Sequence, residues 1–204
     1  MSERVINRSF RWPEKIAPQK GALSFLGLIL ALITTTSVLA SDANFAVQSA
    51  SLQKEENVWF LQTTIDYQLS EAAVEALNNG VPLTITVQFK LKKTRPWLWR
   101  KTIFRKELTL QLRYLGLAKL YQVTNNAQEQ QYHFASFQAA IDHIGNLKEP
   151  LIEALPFLMT DQHYFGMVKT ALEIEALPLP LRPVAYLTPQ WHLSSGWFEW
   201  PLTE

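Results

Sequence analysis

The stretch Leu83–Lys92 reads LTITVQFKLK and alternates apolar and polar side chains without a break. A period of two is typical of a strand that is buried on one face and wet on the other. The stretch therefore predicts a half-buried strand in an antiparallel sheet. Its apolar members are Leu83, Ile85, Val87, Phe89 and Leu91.

Further strands are predicted on both sides of this one. Val58–Tyr67 is rich in β-branched and aromatic residues, and Leu108–Arg113 alternates in the same way as Leu83–Lys92. Strands at this spacing predict a mainly β fold, an antiparallel β-sandwich that is immunoglobulin-like in general architecture. Shorter strand candidates are Phe45–Leu52, Lys119–Thr124, Gln131–Phe134 and Tyr164–Ile174.

Two or three short helices are expected between the strands. Ser70 can cap a helix that starts at Glu71, and Gly80 can end it in a left-handed conformation. Ser136 and Gly145 can bound a second helix in the same way. A third candidate is Glu149–Met159, with Pro150 in its first turn.

The C-terminal tail from Leu177 carries five prolines and is expected to run extended along the domain surface. Its tryptophans could form a platform for a sugar or a peptide, but more often such a tail closes the core. The sequence Ser194-Ser195-Gly196 lacks the flanking glycine of a nucleophile elbow. The candidate tail element comprises Trp191, His192, Ser194, Ser195 and Trp197.

The N-terminal region predicts export. Residues 1–20 form a basic leader, and residues 21–40 contain no charged side chain. As a helix, residues 21–40 would span about 30 Å, the thickness of a bilayer core. Because the basic residues precede this segment, the positive-inside rule sends residues 41–204 across the membrane. Ala40 can end a cleaved signal peptide, or the segment can remain as a transmembrane anchor.

Charge is unevenly distributed along the exported part. Eight basic residues and no acidic residue lie between Lys90 and Lys106, whereas the rest of the chain from Ser41 has 6 basic and 16 acidic residues. A nucleic-acid-binding domain usually carries positive charge over a whole face. One basic segment on an acidic body therefore argues against binding of nucleic acid.

The basic segment predicts a hairpin with its tip near Arg95–Lys101, and it is the candidate interaction surface. Indoles beside lysines and arginines suit an anionic bilayer or an acidic partner. The alternative is a wet strand face whose lysines keep the sheet edge from pairing. The residues of this candidate surface are Lys92, Lys93, Arg95, Trp97, Trp99, Arg100 and Lys101.

No pattern for catalysis, a metal or a cofactor stands out. The chain has no cysteine, which excludes disulfides, thiolate metal sites and cysteine nucleophiles. Its four histidines form no HxxxH, HxH or HExxH pattern, and no glycine-rich loop joins a strand to a helix. The expectation is a protein without enzymatic activity, cofactor or metal.

From Phe45 to Leu202 the chain resembles a bacterial family known as domain of unknown function 4390. The resemblance rests on seven segments, with the last as the most specific: Leu69-Ser70, Ala76-Leu77, Gly80–Leu83, Arg95–Trp99, Leu112–Tyr114, Leu120–Val123 and Trp191–Trp197. It implies an exported or membrane-anchored proteobacterial protein without an established activity, from a family whose genes often lie beside those of a membrane sensor histidine kinase. Relatives tend to carry an acidic residue where this chain has Arg100-Lys101, so the family implies no electrostatic role for the hairpin.

These observations favour a non-catalytic interaction module outside the cytoplasmic membrane. It would be periplasmic or anchored to the inner membrane, and it would bind an envelope or inner-membrane protein, with a membrane sensor kinase as one candidate. The alternative is a periplasmic binding protein for a lipid, glycan or peptide. Such a protein would need a pocket between the sheets, lined by residues such as Phe89, Leu110 and Trp197.

Overall fold

The structure, a computed structural model, describes residues 44–56, 58–95, 98–151 and 163–202. These residues contain nine strands and three short α-helices. The strands are β1 Phe45–Glu55, β2 Val58–Tyr67, β3 Leu83–Arg95, β4 Leu98–Leu115, β5 Leu120–Asn125, β6 Gln130–Phe134, β7 Asn146–Pro150, β8 Tyr164–Leu172 and β9 Phe198–Leu202. The α-helices are α1 Glu71–Asn78, α2 Phe137–Gly145 and α3 Arg182–Leu187, and two 3₁₀ turns span Ile174–Ala176 and Pro189–Trp191.

The strands form two antiparallel sheets, which confirms the prediction of a mainly β fold. The small sheet has the order β1-β2-β7, and the large sheet has the order β6-β5-β4-β3-β8-β9. Most neighbours in each sheet are consecutive in sequence and joined by hairpins. The exceptions bring β7 beside β2 and β8 beside β3.

The two sheets share one hydrophobic core. The alternating apolar residues of β3 are all buried, and they cluster with Leu61, Ile65 and Tyr67 of β2. The Tyr67 hydroxyl lies 3.1 Å from Thr170 Oγ1 of β8, so a buried hydrogen bond also joins the sheets. Burial raises the pKa of Tyr67, because the ionised phenol would lose its hydration.

The first two predicted helices are confirmed together with their caps. Ser70 and Ser136 accept hydrogen bonds from the backbone N–H three residues later, each at 3.2 Å. Gly80 has a φ of 84°, the left-handed conformation that ends α1. The third candidate, Glu149–Met159, is wrong at its start, because Asn146–Pro150 is a strand paired with β2. The remainder of that candidate lies largely outside the described residues.

The expectation of an extended tail is wrong for much of its length. After the turn at Ile174–Ala176, the tail forms α3 and a second 3₁₀ turn, and it ends as β9 in the large sheet. The open edge of β8 explains the difference, since its unpaired N–H and C=O groups offer partners to β9 and to Leu193–Ser195.

The predicted leader and apolar segment, residues 1–40, lie outside the described residues. No helix within the described ranges is both long and apolar enough to cross a membrane.

Candidate functional site

The basic hairpin is the end of the β3–β4 pair, here taken as Lys90–Lys106. Its β3 half stays paired with β8 as far as Lys93, whereas β5 pairs with β4 only at Leu110–Leu115. The two strands pair from Leu83 with Leu112 to Arg95 with Leu98, so the last described pair lies at the predicted tip. The register shifts at two places within the hairpin, after Leu91 and after Lys93. Irregularities of this kind increase local twist and bend a strand pair away from the sheet.

Strand alternation divides the basic side chains between two faces of the hairpin. Lys93 lies opposite Lys101 in the β3–β4 pairing, and residues directly opposite share a face. Lys92 and Arg100, one position away in each strand, therefore lie on the other face. We call the face of Lys92 and Arg100 the outer face, and the face of Lys93 and Lys101 the inner face.

The outer face gathers cations from three neighbouring strands. Lys90 lies opposite Arg105 in β4 and two residues from Lys92, and Lys169 of β8 pairs with the adjacent Gln88. Partial burial, and then the positive charges of Arg105, Lys92 and Lys169, lower the pKa of Lys90. The cluster is therefore a positively charged surface in which like charges repel each other.

Trp197 belongs to this outer face, although it lies far away in sequence. The Lys90 ammonium lies 4.0 Å from the centroid of its indole ring. Trp197 is 36% exposed, so one part of the ring stays open to a ligand or partner. A lysine over an indole is a cation–π contact, which is worth about 0.5–1 kcal/mol at an exposed site.

Arg100 is already engaged within the domain. Its guanidinium forms an ion pair with Glu199 at 2.6 Å and lies 4.0 Å from the centroid of the Phe165 ring. These contacts tie the hairpin to β8 and β9. The sequence did not single out Glu199, Phe165 or Lys169, since no local pattern connects them with the hairpin.

An exposed indole lies near the inner face, close to the hairpin tip. Trp99 is two residues before Lys101, at the register shift that follows Lys93, and it is 91% exposed. Lys101 is exposed and Lys93 is half-buried, and within the described ranges neither forms an ion pair. Trp97 and the side chain of Arg95, two residues of the predicted surface, lie outside the described part.

Lys106 does not belong to the exposed surface. Its ammonium lies 2.9 Å from a Glu149 carboxylate oxygen and 2.7 Å from the carbonyl oxygen of Pro150. The other carboxylate oxygen accepts a hydrogen bond from Gln128 at 3.2 Å. Because Glu149 belongs to β7 of the small sheet, this cation of the basic segment joins the two sheets.

The tail element pairs with the open edge of β8. Ser194 forms a β-bridge with Ala171, and the Ser195 backbone N–H donates to the Thr170 carbonyl at 2.9 Å. The Ser195 hydroxyl accepts a hydrogen bond from the Thr170 N–H at 3.0 Å and is buried. The Ser195 hydroxyl therefore supplies an acceptor for a backbone N–H group at the edge of β8, which is a structural role.

The structure does not bring the predicted platform residues together. Trp191 is buried in the core, whereas Trp197 stands on the outer face and His192 is exposed. Phe89 and Leu110 are buried in the shared core, with 1% and 3% exposure, whereas Trp197 lies on the outer face of the hairpin.

Groups for acid–base or metal chemistry are not assembled in the described ranges. No histidine there forms a hydrogen bond with a carboxylate, and His133 contacts only the Gln122 amide at 3.3 Å. No three side chains of His, Cys, Asp or Glu there are grouped so that they could hold a metal ion.

The comparison with protein families agrees with the resemblance seen in the sequence. Residues 42–201 match the family model described as "Domain of unknown function (DUF4390)". The chain belongs to that family. The match of this DUF4390 member includes both the basic hairpin and the tail element. Neither the curated proteins nor the solved structures contain a match to it.

Proposed function

We propose that this DUF4390 protein is a non-catalytic interaction module outside the bacterial cytoplasmic membrane. It binds an acidic envelope protein through the inner face of the basic hairpin. The observation that carries the proposal is Trp99, an indole that is 91% exposed and lies two residues before Lys101, near the hairpin tip. Tryptophan flanked by cations is typical of the residues that dominate protein–protein interfaces.

Charge complementarity supports an acidic partner. The exported part is acidic apart from the segment Lys90–Lys106, so this segment is the positive pole of the domain. A partner with an acidic patch would be steered toward that pole and kept away from the rest of the surface. The gene context of the family supports a membrane sensor kinase as the first receptor to test.

Export is the second part of the proposal, and the sequence supports it. The basic leader and the uncharged segment Gly21–Ala40 direct the domain to the periplasmic side, as a cleaved protein or on an anchor. The immunoglobulin-like architecture and the N-terminal helix stay predictions. The proposed function requires no cofactor or metal.

The test is site-specific crosslinking in intact cells. A photo-crosslinking residue in place of Trp99 should capture one acidic envelope or inner-membrane protein. The double substitution Lys93→Glu with Lys101→Glu should abolish this adduct, because it reverses the two positive charges of the inner face. Arg100 is a poorer choice, since its reversal would place two carboxylates together and disturb the contact with Glu199.

The matched control is Lys54→Glu with Arg113→Glu. Both residues are exposed and both lie outside the hairpin, so the net charge changes by the same amount. The control should keep the adduct, and both double variants should keep the circular dichroism spectrum of the wild type. An adduct that survives the inner-face reversal would remove the hairpin from the proposal.

A second candidate function is a periplasmic binding protein for a small polar ligand, such as a glycan or a peptide. A cleft of 310 Å³ between β2 and α2 supports it, because its volume reaches the lower end of the range for ligand sites. Polar groups line it, including Gln48, Thr64, Asp66, Gln138 and Asp142. A screen of glycans and peptides by thermal shift, with Gln138→Trp as a blocked variant, tests this alternative.

A further inference from the structure

Large apolar side chains are exposed at the end of the domain that lies opposite the hairpin. Leu117 and Leu187 are 106% and 84% exposed, and Leu179 is 72% exposed. Val184 of α3 is 55% exposed. Single exposed leucines need no explanation, but a group at one end of a domain indicates a contact with an apolar partner.

The pairing of the strands places these residues at one end. Leu83 pairs with Leu112, so the β4–β5 turn that holds Leu117 lies at the end where β3 begins. β8 finishes at the same end, since Leu172 pairs with Ile85, and the chain then continues through Ile174–Ala176 to α3. Helices α1 and α3 both contact the turn Pro189–Trp191. We call this end the apolar end.

The domain also begins at the apolar end. The Asn44 carbonyl accepts a hydrogen bond from the Gln68 N–H at 3.2 Å, and Gln68 lies two residues before Ser70, the cap of α1. The uncharged segment of the sequence ends at Ala40. The chain from Ala40 to Asn44 can therefore span at most about 14 Å.

The hairpin tip is much farther from this starting point. Strand β3 has 13 residues between the apolar end and the tip, and at about 3.3 Å per residue it covers about 40 Å. A domain held to the bilayer by its first residue would therefore bring its leucines to the lipid. It would hold the hairpin away from the membrane.

We propose that the apolar end lies against the bilayer, with Leu117, Leu179, Val184 and Leu187 at the level of the lipid headgroups. This inference rests on the proposed export, and it requires residues 21–40 to be retained as an anchor. It gives the domain a direction: the membrane contacts the apolar end, and the basic hairpin faces a partner in the periplasm.

The charges near the apolar end define the kind of contact. This end carries the acidic residues Glu71, Glu75, Glu173 and Glu175, which outnumber its basic residues Lys119, in the turn with Leu117, and Arg182 of α3. Anionic lipid would repel these carboxylates, so burial of the leucine side chains has to drive the contact. Zwitterionic lipid should therefore be sufficient, and added anionic lipid should not strengthen the contact.

The absence of cysteine allows a clean test on the full chain. Single variants Leu179→Cys, Leu187→Cys and Lys101→Cys would be labelled with an environment-sensitive fluorophore and reconstituted into phosphatidylcholine vesicles that contain spin-labelled lipid. We expect loss of fluorescence at positions 179 and 187, and none at position 101 near the hairpin tip. Replacement of part of the lipid by phosphatidylglycerol should leave this pattern unchanged.

Three results would overturn the inference. Equal quenching at Lys101→Cys would mean that the domain lies on its side, and no quenching at any position would mean that the domain stands clear of the lipid. A mass of the cellular protein that corresponds to cleavage before Ser41 would remove the anchor. None of these results affects capture of a partner at Trp99, so failure of this inference is distinguishable from failure of the proposed function.

Discussion

The ammonium of Lys106 lies 2.9 Å from the carboxylate of Glu149, and this ion pair joins the large sheet to the small sheet. The side chains of Lys106 and Glu149 are 27% and 7% exposed. The Glu149 carboxylate is therefore buried, and its charge has to be stabilised by hydrogen-bonding and cationic partners. Gln128 donates to the second carboxylate oxygen. The position of Lys106 on the core face of β4 follows from its pairing with the buried Phe89.

Loss of one partner of this pair should destabilise the domain strongly. We expect Lys106→Met to lower the free energy of unfolding by about 3 kcal/mol, because it leaves the Glu149 carboxylate buried without a cation. The double variant Lys106→Met with Glu149→Leu should recover much of this loss. Urea unfolding measures both values, and a double variant that is as unstable as the sum of the single variants would contradict the argument.

Gly166 should be sensitive to the addition of one methyl group. A Cβ at this position would overlap the Trp200 indole, which stacks on Phe89. We expect Gly166→Ala to cost about 1–3 kcal/mol, since the indole or the backbone must shift. Gly196→Ala is the control, because a Cβ there meets no atom within 4 Å. Thermal unfolding would show the difference, and equal midpoints for the two variants would refute it.

Ser195 should act as a structural residue of the β8 edge. We expect Ser195→Ala to lower the free energy of unfolding by about 1–2 kcal/mol, because the Thr170 N–H loses its acceptor. Ser194→Ala should have little effect, since Ser194 pairs with Ala171 through backbone atoms. Hydrogen exchange at the Thr170 amide gives the direct measurement, and unchanged protection in Ser195→Ala would contradict the assignment.

His143 should make stability depend on pH. This residue of α2 is half-buried against the rings of Tyr132 and Phe134. The centroid of the imidazole lies 4.4 Å from that of Tyr132 and 5.0 Å from that of Phe134. Burial lowers its pKa below the usual value of 6.5. The unfolded chain therefore binds a proton more readily, and stability should fall as the pH drops below about 6.5.

The measurement for this prediction is the unfolding midpoint at pH 7.5 and at pH 5.5. We expect the decrease to be smaller in His143→Gln than in the wild type. His192→Gln changes an exposed histidine and serves as the comparison. A decrease of the same size in all three proteins would assign the pH dependence to other groups.

Several elements could be predicted because their signals are local. The period of two in Leu83–Lys92 sets which side chains of β3 are buried, and Ser70 and Ser136 cap their helices with neighbouring backbone groups. The start of the candidate helix Glu149–Met159 failed for the opposite reason. Its first residues, Glu149 and Pro150, belong to β7 and pair with the free edge of β2, which is distant in sequence.

The candidate site was predicted only in part. The sequence identified the basic hairpin and placed five of its eight cations on the candidate surface, but it could not show which of the eight have acidic partners. The structure assigns Lys106 to the ion pair between the sheets and Arg100 to the contact with Glu199. The position of Trp197 over Lys90 depends on the pairing of β9 with β8, which no local pattern shows.

The sequence by itself determined the strands other than β7 and β9, the first two helix caps, the hairpin and the uneven distribution of charge. These features depend on side-chain periodicity and on hydrogen bonds between near neighbours. Only the tertiary structure decided which cations are paired and which are free, how the tail pairs with β8, and which end of the domain carries the exposed leucines. Those outcomes depend on which strand edges remain open and on burial summed over the whole domain, so no single segment encodes them.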